Sequence, residues 1–360
     1  MGGAVWCNRW MSAPPFVRVP KARPGDRVAV LSPSFAAPAL FGAVHEQAMR
    51  RLADATGLVP VEYPTTRRLG AAPEDRAADI TAAFADPTIR AVLATIGGDD
   101  QIAVIPHIDT AAVVADPKPF LGYSDNTNLH NLLWSLGIPS FYGGSTQVHL
   151  GPGPRIDDEH LLSLRAALLD GGEVGVTPVA ASEDVGIDWD DPRALGAFGD
   201  REESGPWFWS GPETVVEGRT WGGCLEVIDQ LVTAGRIPAP EDLAGGILLL
   251  ETSELLPSAD RVARWVRALG ERGVLEAVAG VLVARPPVSA LGSRVPPPAE
   301  RDRLRDAQRD AVVAELARYN PSAVVCVGVP FGHTRPQWIV PHGGRIRIDA
   351  AARTISADFG

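Results

Sequence analysis

The chain has 360 residues, 45% hydrophobic and 21% charged, which suffices for one large or two medium globular domains and excludes intrinsic disorder. Lys and Arg number 33 against 44 Asp and Glu, a formal charge of -11 with no basic patch to offset it, so nucleic acid is not an expected partner. The three cysteines, Cys7, Cys224 and Cys326, are odd in number and lack metal-ligand spacing. They argue against a disulfide framework or a zinc site and for a reduced, cytoplasmic setting.

At the N-terminus, MGGAVWCNRWMSAPPFVRVPK lacks the continuous apolar stretch of a secretory signal, and position 6 is Trp where myristoylation wants Ser or Thr. Residues 1–18 read as a disordered tail in which Met11 is an alternative start to Met1. Apolar runs such as 246–250 fall far short of the roughly 20 residues a bilayer span needs, so no membrane association is expected.

From Gly25 to Tyr142 short β-branched runs alternate with helical stretches. Strands are predicted at Arg27–Leu31, 59–63, 91–96 and 119–122, with helices through His45 and Arg51, over 74–85, and from near Asn126. This βαβ rhythm implies a parallel, helix-covered sheet in an N-terminal domain, 19–155. The segment 151–218 is rich in Gly, Pro, Asp and Trp with one clear helix, 159–169, and 156–218 reads as linker plus substrate loops. A second α/β unit, 219–360, follows: helix 225–231, strand 246–250, helix 259–269, strand 279–284, helix 301–319, strand 323–327, then short alternating strands at Arg345–Asp349 and 354–357.

Sites in open α/β sheets lie beyond the carboxyl ends of strands, and reactive side chains stand at three such places. In KPFLGYSDNTNLH, Ser124 falls where a strand ending at Gly122 turns directly into a helix. A small residue two places before a nucleophile permits a sharp turn, and the helix N-terminus favours an oxyanion, although Asn126 stands where such elbows carry Gly. Ser124 or Asp125 serving only as a helix cap is the alternative. In ATIGGDD a buried strand runs into Gly97 and Gly98, which opens the backbone to a ligand or forms an ordinary turn. For acyl transfer the N–H groups of Asp125 and Gly98 are the candidate oxyanion donors. Glu251 ends the apolar strand GGILLLE, and His333 follows Gly332 in an irregular stretch. A serine needs a base, and an imidazole oriented by a carboxylate supplies one; a structural loop histidine and a plain helix-end carboxylate are the competing readings.

Taken in order, PGDRVAVLSPS, ATIGGDD, KPFLGYSDNTNLH, WGGCLEV with LLLETSE, and the final FGH resemble the LD-carboxypeptidase family of serine peptidases from about Pro24 to Gly344. The resemblance implies a catalytic triad of nucleophile Ser124, general base His333 and orienting Glu251, with Gly98 and Asp125 as oxyanion hole and no metal or organic cofactor. It implies a Rossmann- or flavodoxin-like N-terminal domain, a smaller swivelling β/α C-terminal domain, an active site in the cleft between them, and a homodimer. Ile96 stands where the murein-recycling branch usually has Arg, and GGCLEV with ETSE looks more like the microcin C self-immunity peptidases.

That branch cleaves the amide joining an amino acid or peptide to a nucleotide-like phosphoramidate or sulfamate, with a loop aromatic stacked on adenine. Trp189, Trp207 and Trp209 are the candidates here, packing beneath a long loop being their other reading. The expected partner is thus a small peptide or peptidyl-nucleotide substrate. The alternatives are a cytoplasmic murein tetrapeptide carboxypeptidase releasing D-alanine, with Arg76 or Arg285 binding the terminal carboxylate, and a non-catalytic binding protein on the same scaffold.

Overall fold

The computed structural model describes residues 14–360. The first sheet takes β1 (Arg27–Leu31), β2 (Val59–Glu62), β3 (Ile89–Ala94), β4 (Phe120–Gly122) and β5 (Ser140–Tyr142), all parallel in the order 2-1-3-4-5. Their crossovers include α1 (Gly42–Thr56), α2 (Pro73–Ala85), the short α3 (Gln101–Val104) and α4 (Thr110–Ala115), and α5 (Thr127–Ser135). This is the doubly wound order in which the strand sequence reverses between β1 and β3, and a crevice opens beyond the carboxyl ends there. Residues after β1, β3 and β4 converge on that crevice.

After α6 (Asp158–Arg165) the segment expected to be mostly linker supplies strands. β6 (Glu173–Val176) reaches the far edge of the second sheet, β7 (Ala181–Ser182) and β8 (Glu202–Glu203) pair with each other, and β9 (Phe208–Ser210) pairs with a later strand. β10 (Val215–Cys224), β11 (Ile247–Glu251), β12 (Gly280–Ala284) and β13 (Val324–Val329) form the parallel centre of that sheet. Around it lie α7 (Leu225–Thr233), α8 (Ala259–Glu271), the one-turn α9 (Val274–Ala277) and α10 (Pro298–Tyr319). β14 (Val340–His342) crosses back to pair antiparallel with β5, while β15 (Arg345–Asp349) and β16 (Thr354–Asp358) extend the second sheet beside β10. The order is β6-β16-β15-β10-β11-β12-β13-β9.

β11 and β12 are buried end to end because helices cover the parallel core. The expected strands and helices recur within a few residues. β10 and β14 were hidden by their own Gly and Pro, which read as turn signals. Of the expected tail, residues 1–13, with Cys7 and Met11, lie outside the described residues. From Pro14 on the expectation of disorder is corrected: Phe16 packs edge-on against Trp134 at 5.3 Å and Val17 N–H bonds Gly137 O at 2.8 Å. Among the described residues no helix is long and apolar enough to cross a membrane.

The two sheets are joined through α5 and the end of β10. Trp221 Nε1 donates to Asn131 Oδ1 at 3.1 Å, Trp134 Nε1 to Thr220 O at 3.1 Å, and Cys224 N–H to Thr127 Oγ1 at 3.1 Å. Gly222 and Gly223 allow that approach at φ of +136° and +134°. A Cβ on Gly222 would meet Leu249 O at 2.0 Å, a backbone atom fixed in the sheet. Gly222→Ala is therefore expected to cost about 3 kcal/mol or more, read as a lower denaturant midpoint in equilibrium unfolding.

Candidate active site

Ser124 sits at φ +62°, a left-handed conformation that is strained for a residue with a side chain. It occupies the corner where β4 passes through a single tight turn, Ser124–Asn126, into α5. Surrounding bonds hold it there. Asn126 Nδ2 donates to Tyr123 O and Ile96 O, and its Oδ1 accepts from Gln101 Nε2 at 2.9 Å. Asp125, 1% exposed, accepts from Ser34 Oγ at 2.5 Å and from Gln101 N–H at 2.9 Å. The departure from Gly at position 126 thus ties the elbow to the β3 loop. A Cβ on Gly122 would strike the Asn126 side chain at 2.9 Å, which accounts for the small residue before the turn.

The Ser124 N–H donates to Tyr142 Oη at 3.1 Å, and Tyr142 donates in turn to Glu251 Oε1 at 2.6 Å. Burial first, and the Glu251 charge second, hold the Tyr142 hydroxyl protonated well above the usual phenol range. Glu251, 1% exposed at the end of β11, presents its other oxygen to His333 Nδ1 at 2.5 Å. Sequence reasoning missed Tyr142, which lies in a three-residue strand with no motif around it. Burial disfavours a charged His333, but Glu251, with Glu254 and Glu226 beyond, outweighs it and raises the imidazole from 6.5 to about 9. Its Nε2 lies 3.3 Å from Glu254 Oε2.

Ser124 and His333 line one cavity of about 340 Å³ with Gly97, Gly98, Phe35, Trp189 and Arg335 on its walls. Gly97 is required: a Cβ there would sit 2.9 Å from Ser124 Oγ and 3.2 Å from Asp125 N. Gly97 O accepts from Phe35 N–H at 3.0 Å, and in a trans peptide this turns the Gly98 N–H away from Phe35. Trp189 is held edge-on against Phe41 at 5.2 Å. Trp209 in β9 and Trp207 just before it stand elsewhere, at the edge of the second sheet and packed against the core, because β9 pairs with β13. Neither arginine considered for a carboxylate lines the cavity. Arg76 is locked bidentate on Asp100 at 2.7 Å and Arg285 pairs with Glu202 at 2.8 Å. The arginine that does line it, Arg335, was not singled out and is engaged by Asp157 and Glu183 at 3.5 and 3.6 Å.

A serine hydroxyl and a carboxylate-oriented imidazole opening on one cavity are the parts that acyl transfer needs. Among the described residues no cluster of His, Cys, Asp and Glu could hold a metal ion.

Comparison with known proteins agrees with this architecture. The LD-carboxypeptidase N-terminal domain model matches residues 28–143 and the C-terminal domain model residues 217–348. The Escherichia coli microcin C7 self-immunity protein MccF is 25% identical over 288 residues, covering 79% of this chain and 78% of MccF. A Streptomyces coelicolor protein with the provisional name of a carboxypeptidase is 30% identical over 360 residues, covering 95% and 96% of the two chains. MccF solved with glutamyl sulfamoyl guanosine matches the fold at TM-score 0.80 and 22% identity, over 97% of this chain and 98% of that one. An MccF-like protein from Streptococcus pneumoniae solved with AMP matches at TM-score 0.80 and 25% identity, over 93% and 99%. With both of its domain models accounting for most of the sequence, this chain belongs to the LD-carboxypeptidase family.

Proposed function

We propose that the protein is a serine amidase that hydrolyses the amide at the C-terminal carbonyl of an amino acid or small peptide joined to a nucleotide-like group. One observation carries this reading: a strained Ser124 at a strand-to-helix corner shares a cavity with a histidine whose far nitrogen is 2.5 Å from a buried carboxylate.

In the proposed mechanism Ser124 Oγ attacks the scissile carbonyl carbon and its proton passes to His333 Nε2. Glu251 holds the ring by Nδ1 and stabilises the imidazolium. The Asp125 N–H, flanked by a Ser124 N–H already spent on Tyr142 and an Asn126 N–H spent on Tyr123 O, is one oxyanion donor; the Gly98 N–H is the second. Collapse breaks the C–N bond, and the leaving nitrogen takes the proton from His333. Water, deprotonated by the same imidazole, then releases the acid from Ser124. The nucleotide reading draws on the apolar wall of Phe35, Val185, Ile187, Trp189 and Leu291, which offers an indole face for a base. MccF and its Streptococcus pneumoniae relative were solved with such ligands.

Mass spectrometry of products from an aminoacyl sulfamoyl adenosine and from a murein tetrapeptide ending in D-alanine tests the reading. Sulfamoyl adenosine is the expected product, lost in Ser124→Ala; release of D-alanine instead would move the protein to the murein branch. Trp189→Ala is expected to raise KM for the adenosine conjugate about tenfold with kcat little changed, in line with about 1–3 kcal/mol for one stacked base.

The base must be neutral to accept the serine proton, so kcat/KM is expected to rise with pH through about 9, the free-enzyme value of His333. Stability runs the opposite way. A pKa raised from 6.5 on folding contributes stability fully present below 6.5 and lost as pH rises through about 9. His333→Asn should remove that slope from unfolding free energies measured across this window.

A further inference from the structure

The nitrogen of His333 that must receive the serine proton faces a second carboxylate: Glu254, three residues past Glu251, places Oε2 at ion-pair distance, 3.3 Å. Unlike Glu251, which is fully buried, Glu254 has a side chain 63% exposed and stands on the cavity wall, free to exchange partners. The other charged groups lining the cavity are engaged. Asp184 accepts from Val288 N–H at 2.8 Å and pairs with Arg305 at 3.0 Å, while Arg335 is paired with Asp157 and Glu183. Among the described residues, His333 is the ion-pair partner recorded for Glu254. The cavity thus presents one exposed carboxylate beside Ser124 and His333, while the arginine on its wall is already paired.

We propose that Glu254 is a specificity residue that recognises the free α-ammonium group of the acyl part of the substrate, exchanging His333 Nε2 for that ammonium as the substrate binds. The inference rests on Ser124 and His333 being nucleophile and base. A carbonyl carbon positioned about 3 Å from Ser124 Oγ carries its α-nitrogen two bonds away, next to the imidazole edge that Glu254 now covers. An ammonium there satisfies the carboxylate and frees Nε2 for the serine hydroxyl. A peptidyl or N-acylated substrate has an uncharged amide at that place. It leaves Glu254 on the imidazole and the base blocked. The preferred substrate is therefore an aminoacyl conjugate with an unmodified α-amine, in preference to a longer peptidyl one.

The remaining groups facing His333 do not duplicate this exchange. Glu251 is fixed by Tyr142, and Glu226 accepts from Ser253 N–H and Oγ at 3.0 and 2.8 Å. The Tyr123 ring lies against the imidazole at 4.9 Å, and burial keeps His149 neutral. Arg335 is held by its two carboxylates.

The test compares kcat and kcat/KM for glutamyl sulfamoyl adenosine and its N-acetyl derivative, across pH, in the wild type and in Glu254→Gln. The wild type is expected to prefer the free amine by about ten- to a hundredfold in kcat/KM, the range for a charged hydrogen bond. Glu254→Gln should bring the two substrates within about twofold of each other, through a loss on the free amine and a gain on the acetylated one. In the wild type the acidic limb of kcat should lie below that of kcat/KM for the free amine only, since kcat reports the complex in which Glu254 has let go. A thermal melt on the variant checks its fold. Ser124-dependent turnover of both conjugates at equal rates, or a preference that survives Glu254→Gln, overturns the assignment while leaving the amidase reading standing. No Ser124-dependent product from either conjugate overturns that reading and takes this assignment with it.

Discussion

A carboxylate removed from water must be surrounded by donors, and the Glu251 side chain is such a group. Its two donors come from opposite parts of the chain: Tyr142 from the last parallel strand of the first sheet and His333 from the loop after β13. Neither sheet could shift against the other without stranding a buried charge. The same tyrosine oxygen accepts the Ser124 N–H, so one hydroxyl sets Ser124 and the carboxylate in a common frame. The joint around it has no slack. A Cβ on Gly223 would meet Thr127 Oγ1 at 2.6 Å and the Tyr142 ring at 2.8 Å, and Thr127 Oγ1 also takes the Cys224 N–H.

Strain at Ser124 is sustained by the same economy. Left-handed backbone at a serine persists only when the surroundings over-determine it. Here the loop after β1 contributes Ser34, the loop after β3 contributes Ile96 O, the start of α3 contributes Gln101, and α5 contributes Asn128, all bound to Asp125 or Asn126. These residues meet because the strand order reverses at β1 and β3. The topology brings their carboxyl ends to one crevice before any particular chemistry is specified. Asp125, with its carboxyl driven up chiefly by burial, belongs to this scaffold through its side chain, whatever its backbone N–H does.

β1, β3, β4, β11, β12 and β13 were readable from sequence because each is a short apolar run, buried at all but at most one residue. Arg27–Leu31 coincides with the expectation to the residue. Strands whose role is to let backbones approach were not readable. Val215–Cys224 carries three glycines and Val340–His342 a proline, residues whose local meaning is a turn until a partner strand is known. The site divides in the same manner. Ser124, Glu251 and His333 stand at strand ends, where sequence order and motif both point, and the fold brings them to one crevice. Tyr142 acts through a contact 109 residues away, and nothing in Ser140–Tyr142 announces it. Arg76 and Arg285 illustrate the converse: their charge was visible, but the carboxylates that consume it, Asp100 and Glu202, were not.

Charge placement also bears on which end of a substrate this cavity suits. A terminal carboxylate needs a cation with hydrogen-bonding capacity to spare, and guanidinium is the usual choice because of its planar fork. Arg335 is the guanidinium on the wall, yet it is 5% exposed, is shared between Asp157 and Glu183, and its ion pairs are reinforced by Arg201 on the same two acids. Diverting it to a ligand would leave two buried carboxylates sharing Arg201 alone, at a cost greater than one exposed carboxylate contact returns. A leaving group that offers an aromatic face and hydrogen-bonding edges asks nothing of Arg335. It can rest on Trp189, whose ring is already braced by Phe41. On the proposed amidase reading, this is why the wall suits a heterocyclic leaving group better than a free carboxylate.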